Sequence, residues 1–153
     1  MIEYKTGNLL EADTEALINA VNCVGVMGKG IALQFKQTFP DNFEQYQKAC
    51  KLNEVIPGKM LMVPLQTASN PRYIINFPTK RHWRGKSKIE DVQSGMVDLI
   101  ATIRTYGIQS VAIPPLGCGL GGLDWHDVQP LIETAAADLP EVHFAIYPPV
   151  ERS

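Results

Sequence analysis

Two stretches of this chain share one build: a short apolar run, a loop with several glycines, and then residues that read as a helix. The first is Ala16 to Val21 (ALINAV), followed by CVGVMGKG and by apolar residues Ile31, Leu33, Phe35 and Phe39 at helical spacing before Pro40. The second is QSVAIPPL (109–116), followed by GCGLGG and a helix from about Asp127 to Leu139. Apolar runs this short, bounded by glycine and proline, read as buried strands. A strand that leads through a glycine loop into a helix, twice, constrains the chain to a sheet with helices covering its faces.

The remaining segments extend the same alternation. A short helix over 42–51 precedes two neighbouring strands, MLMVPL (60–65) and YIINF (73–77). Residues 87 to 106 form the strongest helix pattern. Ser87 and Glu90 have capping-box spacing, Ile89, Val92, Met96, Leu99, Ile100 and Ile103 line one face, and Gly107 stands where a helix stops. VHFAIY (142–147) reads as a closing strand. The expected fold is α/β, a three-layer α/β/α sandwich around a central mixed, largely parallel sheet. No repeat or linker divides it, so a single domain over 1–153 is expected.

Composition excludes several function classes. Net charge is −2, so attraction to phosphate must be local rather than general. Cys23, Cys50 and Cys118 are odd in number, widely spaced and without a CxxC pair, against both a disulfide framework and a structural metal. The N-terminal MIEYKTGNLL has no apolar h-region and no run reaches bilayer length. A soluble, cytoplasmic monomer without membrane association is expected.

In sheets of this kind ligands sit outside the carboxyl ends of the strands, where both glycine loops fall. Glycine lets backbone N–H groups approach an anion, and the following helix N-terminus favours phosphate. Two facing loops suit a diphosphate, although either alone also suits a plain tight turn. A Walker A reading of GVMGKG fails, because the Gly25–Lys29 spacing is too short and Ile31 stands in the Ser/Thr region. Gly117, Gly119 and Gly122 match GxGxxG and raise a nicotinamide oxidoreductase as a rival. About thirty residues then remain, too few for a second mononucleotide-binding half.

With TGNLL, ALINAVN, GVMGKGIALQFK and IPPLGCGLGGLDW in view, the chain resembles the macrodomain family of ADP-ribose-binding modules along nearly its whole length. It is most similar to the branch of terminal ADP-ribose glycohydrolases and DarG antitoxins. The resemblance implies that Asn22 and the Met27, Gly28, Lys29, Gly30, Ile31 loop hold the distal ribose. It implies a diphosphate wrapped by Gly117, Cys118, Gly119, Leu120, Gly121, Gly122 and Leu123. Asn8 and Leu9 are implied at the adenine, with Tyr147 as a possible aromatic contact, and Thr79 beside the ribose. Asn8 replaces the acid many relatives carry, and its carbonyl can accept from the adenine amino group. Gly121 stands where protein-directed relatives carry an assisting acid, so their mechanism does not transfer whole. In DarG-like members a lysine after the strand is essential, and Lys80 in FPTK matches it. An amine there can attack the ribose carbon, or as ammonium stabilise the departing base. The resemblance implies no cofactor and no metal. It also implies a place at the N-terminal end of a longer antitoxin.

FPTKRHWRGKSK (77–88) holds five of the fourteen Lys and Arg residues, with His82 and Trp83 between them. Arg81, His82, Trp83 and Arg84 form the candidate nucleic-acid contact, with cations on phosphates and the indole stacked on an unpaired base. A solvated loop and a core-lidding Trp83 are the bland alternatives. Cys118 reads as a small loop filler, His126 as a cap or surface residue, Trp125 and His143 as structural.

The leading functional expectation is a hydrolase that removes ADP-ribose from a base, thymidine being favoured, in single-stranded DNA, as antitoxin to a DNA ADP-ribosyltransferase toxin. The alternatives are a hydrolase of ADP-ribosylated acidic side chains or O-acetyl-ADP-ribose, and a non-catalytic ADP-ribose reader.

Overall fold

The computed structural model describes residues 1–150, leaving the last three positions of the expected domain outside the described residues. Its two glycine-loop units lie side by side at the centre of the sheet. Strand β2 (Ala16–Asn22) pairs in parallel with β5 (Ser110–Ile113), Ala16 opposite Val111 and Leu17 opposite Ala112. Strand pairing is what makes the two loops face each other.

Six strands run in the order β1-β6-β5-β2-β4-β3. Strands β1 (Ile2–Tyr4), β6 (His143–Ile146) and β4 (Tyr73–Lys80) join by parallel pairing, while β3 (Leu61–Pro64) runs antiparallel to β4. The helices are α1 (Gly30–Thr38), α2 (Pro40–Lys51), α3 (Ile89–Tyr106) and α4 (Trp125–Asp138). The expected three-layer, largely parallel α/β/α architecture is the observed one.

Successive side chains of a strand point to opposite faces, and both faces here are apolar. Ile18, Ile75, Phe77, Val111, Ile113, Phe144 and Ile146 bury with Val92, Leu99, Ile103, Val128 and Ile132 of α3 and α4. Leu17, Ile74, Ala112 and Ala145 point the other way, to Phe35 of α1 and Tyr147. In α3, Gly95 lets the helix approach β4 so closely that a Cβ there would run into the Phe77 ring.

Four features depart from the expected ones by more than a frayed end. The β1 strand has no counterpart in the sequence reading; its three residues are all exposed at a sheet edge and show no apolar run. The expected Ser87 capping box does not form. Lys88 is the residue before α3 and caps nothing with its side chain, while the Ser87 N–H donates to the Gly121 carbonyl at 2.9 Å. The fifth strand stops at Ile113, where Pro114 and Pro115 offer no N–H to the ladder. Conversely, β4 runs three residues past its expected end at Phe77, through Pro78 to Lys80. No helix of the described residues is long and apolar enough to cross a membrane.

Candidate active site

At the carboxyl end of β2 one amide organises the first loop. Asn22 is buried, and its Oδ1 accepts from the N–H groups of Val24 at 3.0 Å and Val26 at 3.4 Å. Its Nδ2 donates to the Val26 carbonyl at 2.7 Å. The Tyr46 hydroxyl shares its proton between Asn22 Oδ1 at 2.7 Å and the Asn22 carbonyl at 2.8 Å. The amide is therefore occupied by its own loop, with one N–H left for a ligand. Met27 is buried beneath the loop, its sulfur 3.9 Å from Asn19 Nδ2. Gly28, Lys29 and Gly30 are exposed, and Gly30 opens α1 after Lys29, whose side chain caps nothing. The first N–H groups of α1 are thus uncapped by a side chain, the arrangement that receives an anion.

The second loop holds itself by backbone. Leu123 N–H returns to the Gly117 carbonyl at 2.9 Å, and a 3-10 turn over Gly119–Gly121 follows Cys118. Gly117 has φ +73°, and a Cβ on it would stand 2.7 Å from Leu123 Cδ1. A Cβ on Gly121 would collide with Ser87 Oγ and lie 3.0 Å from Ser87 Cβ. Cys118 is buried, and burial pushes its thiol up to about 11, so it is a neutral filler at neutral pH. Leu120 is exposed and reaches toward the first loop, 4.0 Å from where a Gly30 Cβ would be.

Beyond these loops, over β5, β6 and the turn after β1, lies a cleft of about 450 Å³ lined by Asn8, Leu9, Ile31, Pro114 and Tyr147 among others. The implied adenine residues are thus brought together with Ile31. Asn8 Oδ1 already accepts the Leu10 N–H at 3.1 Å, which leaves its second lone pair and its NH2 group.

On the other side of the loops, an irregularity between Val21 and Asn22 brings Asn22 into register with Lys80 rather than Thr79. Thr79 is buried; Lys80 is half-buried, with Nζ 3.5 Å from the Trp83 carbonyl. Its amine is held below the usual lysine value, first by burial and then by the charges of Lys86 and Lys29. Lys86 went unremarked among the site residues expected from sequence. Its Nζ lies over the second loop, 3.4 Å from where a Gly122 Cβ would be.

The basic stretch divides in two. His82, Trp83 and Arg84 are exposed and stack on one another, His82 and Trp83 rings 5.6 Å apart and the Arg84 guanidinium carbon 4.4 Å from the Trp83 ring. The Arg84 N–H donates to His82 Nδ1 at 3.1 Å, which makes that nitrogen the acceptor. Trp83 is no lid on the core. Arg81 turns elsewhere, its Nε and Nη2 each 3.2 Å from an oxygen of the buried Asp91 carboxylate. Nothing in the sequence marks this pairing across ten positions. Away from the site, His126 lies exposed on the first turn of α4, whose cap is Asp124, Trp125 packs against the core, and His143 meets Glu3 at 3.5 Å.

An α/β/α sandwich with two glycine loops facing across its central strands, one feeding a helix N-terminus, defines a protein built to hold a phosphorylated ligand. The chain belongs to the macrodomain family, whose Macro domain model matches residues 18–132. A DNA ADP-ribosyl glycohydrolase of Mycobacterium tuberculosis is 57% identical over 149 residues, covering 97% of this chain and 42% of that protein. This chain therefore spans less than half the length of that curated relative. The macrodomain of Mycobacterium tuberculosis DarG matches in structure with a TM-score of 0.97 at 57% identity, covering 98% of this chain and 99% of that one. Thermosipho africanus DarTG in complex with ADP-ribose matches with a TM-score of 0.88 at 36% identity, covering 98% of this chain and 42% of that one.

Proposed function

We propose that the protein is a hydrolase that removes ADP-ribose from a nucleobase of single-stranded DNA in the cytoplasm, as the antitoxin to a DNA ADP-ribosyltransferase toxin. The carrying observation is Lys80: an amine held below its usual pKa, in register with Asn22, at the edge of the paired glycine loops. In this reading adenine occupies the Asn8–Tyr147 cleft and the diphosphate lies between Gly28–Ile31 and Gly117–Leu123. The distal ribose rests at Asn22 and Thr79, and its anomeric carbon faces Lys80.

The lowered pKa enlarges the fraction of neutral amine that can attack that carbon, displacing the base with the electron pair of its C–N bond; the ring then opens to an imine, which water hydrolyses to free the amine and ADP-ribose. The remaining ammonium can instead stabilise the departing base. The exposed His82–Trp83–Arg84 stack offers an aromatic face and a cation to a single strand. The DNA ADP-ribosyl glycohydrolase name of the relative supports the same substrate. Gly121 carries no weight in that choice, since its packing against Ser87 already requires glycine.

Lys80→Ala tests the reading. Hydrolysis of ADP-ribosylated single-stranded DNA is expected to fall by roughly 10²–10⁴-fold, the usual worth of a positioned acid, base or nucleophile, with ADP-ribose affinity by calorimetry little changed. Equal, small losses of turnover and affinity would make Lys80 a binding residue. Faster release from ADP-ribosylated protein than from DNA by wild type would move the substrate class.

A further inference from the structure

A second cleft, of about 540 Å³, opens where β2 and β4 end, lined by Cys23, Asn53, Val55, Ile56, Arg81 and Ser94 among others. Its volume is that of small-molecule sites, roughly 300–1,000 Å³. None of the ADP-ribose-binding residues assigned above lines it. Its position follows from the sheet. Cys23 and Arg81 directly follow Asn22 and Lys80, which are partners in the β2–β4 ladder. Along the carboxyl edge of the sheet the order is then the Asn8–Tyr147 cleft over β6 and β5, the glycine loops after β5 and β2, Lys80 on β4, and finally this cleft. A ligand laid along that edge with its adenine at one end places beyond Lys80 whatever is bonded to its distal ribose.

The chemistry of the walls narrows the occupant. Arg81 is fixed by two hydrogen bonds to Asp91, and Asp91 is buried behind it. Among the described residues Nη1 and one N–H of Nη2 make no other hydrogen bond, so the rigid guanidinium offers donors and no acceptor. Val55, Ile56 and Pro57 supply an apolar wall. Cys23 is half-buried, and burial pushes its thiol up to about 11, so it is a neutral wall and no competing nucleophile at neutral pH. A flat ring with carbonyl oxygens matches donors on one side and apolar atoms on the other.

We infer that this cleft holds the nucleobase being released, a carbonyl-bearing base, with Arg81 donating to one of its carbonyl oxygens. The inference rests on the hydrolase reading above. In hydrolysis the bond between the anomeric carbon and the base nitrogen breaks with its electron pair going to the base. Water supplies the hydroxyl to the carbon and the proton to the base. Charge that builds on the base in this step spreads to its carbonyls, where a fixed guanidinium stabilises it.

Cys23 supplies the test, because Cys50 and Cys118 are buried. Iodoacetamide alkylation at Cys23, run at alkaline pH so that enough of the raised-pKa thiol ionises, is followed by mass spectrometry in the Lys80→Ala protein, whose turnover is slow enough to hold substrate. Saturating ADP-ribose is expected to leave the rate within about twofold, and ADP-ribosylated thymidine to slow it at least tenfold. Equal rates with the two probes overturn the cleft assignment. Ser94→Tyr, at an exposed position on the rim, gives a second readout: at least a tenfold higher KM for the thymidine conjugate with unchanged ADP-ribose affinity. An unchanged KM in the folded variant also overturns it. If wild type releases no ADP-ribose from the conjugate, the hydrolase reading fails and takes this inference with it. If wild type releases it and Cys23 is equally reactive with both probes, the cleft assignment alone fails.

Discussion

The loop after β2 takes its shape from side chains, with the Asn22 amide bonded to Val24 and Val26 and braced by Tyr46, whereas the loop after β5 is shaped by its own backbone and by glycines packed on Ser87. The two loops face each other across paired strands. The difference predicts opposite sensitivities: the first loop fails when a group is removed, the second when an atom is added.

Removing the hub is expected to have the largest effect. Asn22→Ala leaves the Val24 and Val26 N–H groups and the Val26 carbonyl without their partner, a loss of about 3 kcal/mol if each bond is worth about 1. Thermal melting should fall and ADP-ribose affinity should collapse with it. A variant of wild-type stability would show that the loop is held by its backbone like the second one.

Adding one carbon to the second loop comes next. Gly121→Ala pushes a methyl into Ser87, and overpacking of this sort costs roughly 1–3 kcal/mol. ADP-ribose affinity is expected to drop at least tenfold. Ser87→Gly in the same chain removes the colliding atoms and should restore most of it, since contacting residues do not add independently. No rescue would place the damage in the loop's backbone instead.

The smallest effect compares the two cations that act on Lys80, Lys29 on the first loop and Lys86 of the connector lying over the second. Both depress its pKa, Lys86 more than Lys29, so neutralising either lets the pKa rise toward the usual value. The Lys80 limb of the kcat/KM profile should therefore move to higher pH in Lys86→Met, and less far in Lys29→Met. If activity rises with pH through that limb, the neutral amine acts; if it falls, the ammonium does. A larger shift in Lys29→Met would reverse the ranking of the loops.

The fold was legible wherever burial wrote itself into the sequence. ALINAV and VHFAIY lie between two apolar layers and are apolar but for Asn19 and His143, while IEY, an exposed edge, carries no pattern to read. Ser87 misled because capping-box spacing is a local signal, and a long-range bond to Gly121 overrode it. At the site, glycine positions were visible because backbone conformation restricts residue type. Partnerships were not: Arg81 with Asp91, Tyr46 with Asn22 and Lys86 over Gly122 join residues whose types fit equally well on any surface. For Gly121 the sequence offers a chemical reason, the missing acid, where the structure supplies a steric one, its packing against Ser87.

The irregularity that sets Asn22 opposite Lys80 separates what the protein does from what it does it to. The spacing of Asn22 and Lys80, the proposed ribose-holding amide and reacting amine, is fixed by two hydrogen-bonded strands at the centre of the sheet. The residues proposed to meet the outgoing partner, 81 to 88 and 53 to 57, hang on connectors outside that ladder. Those connectors can be rebuilt without disturbing the amine. On the proposed hydrolase reading, a new leaving group is therefore within reach of loop exchange alone, with this sheet as the chassis for releasing ADP-ribose from other partners.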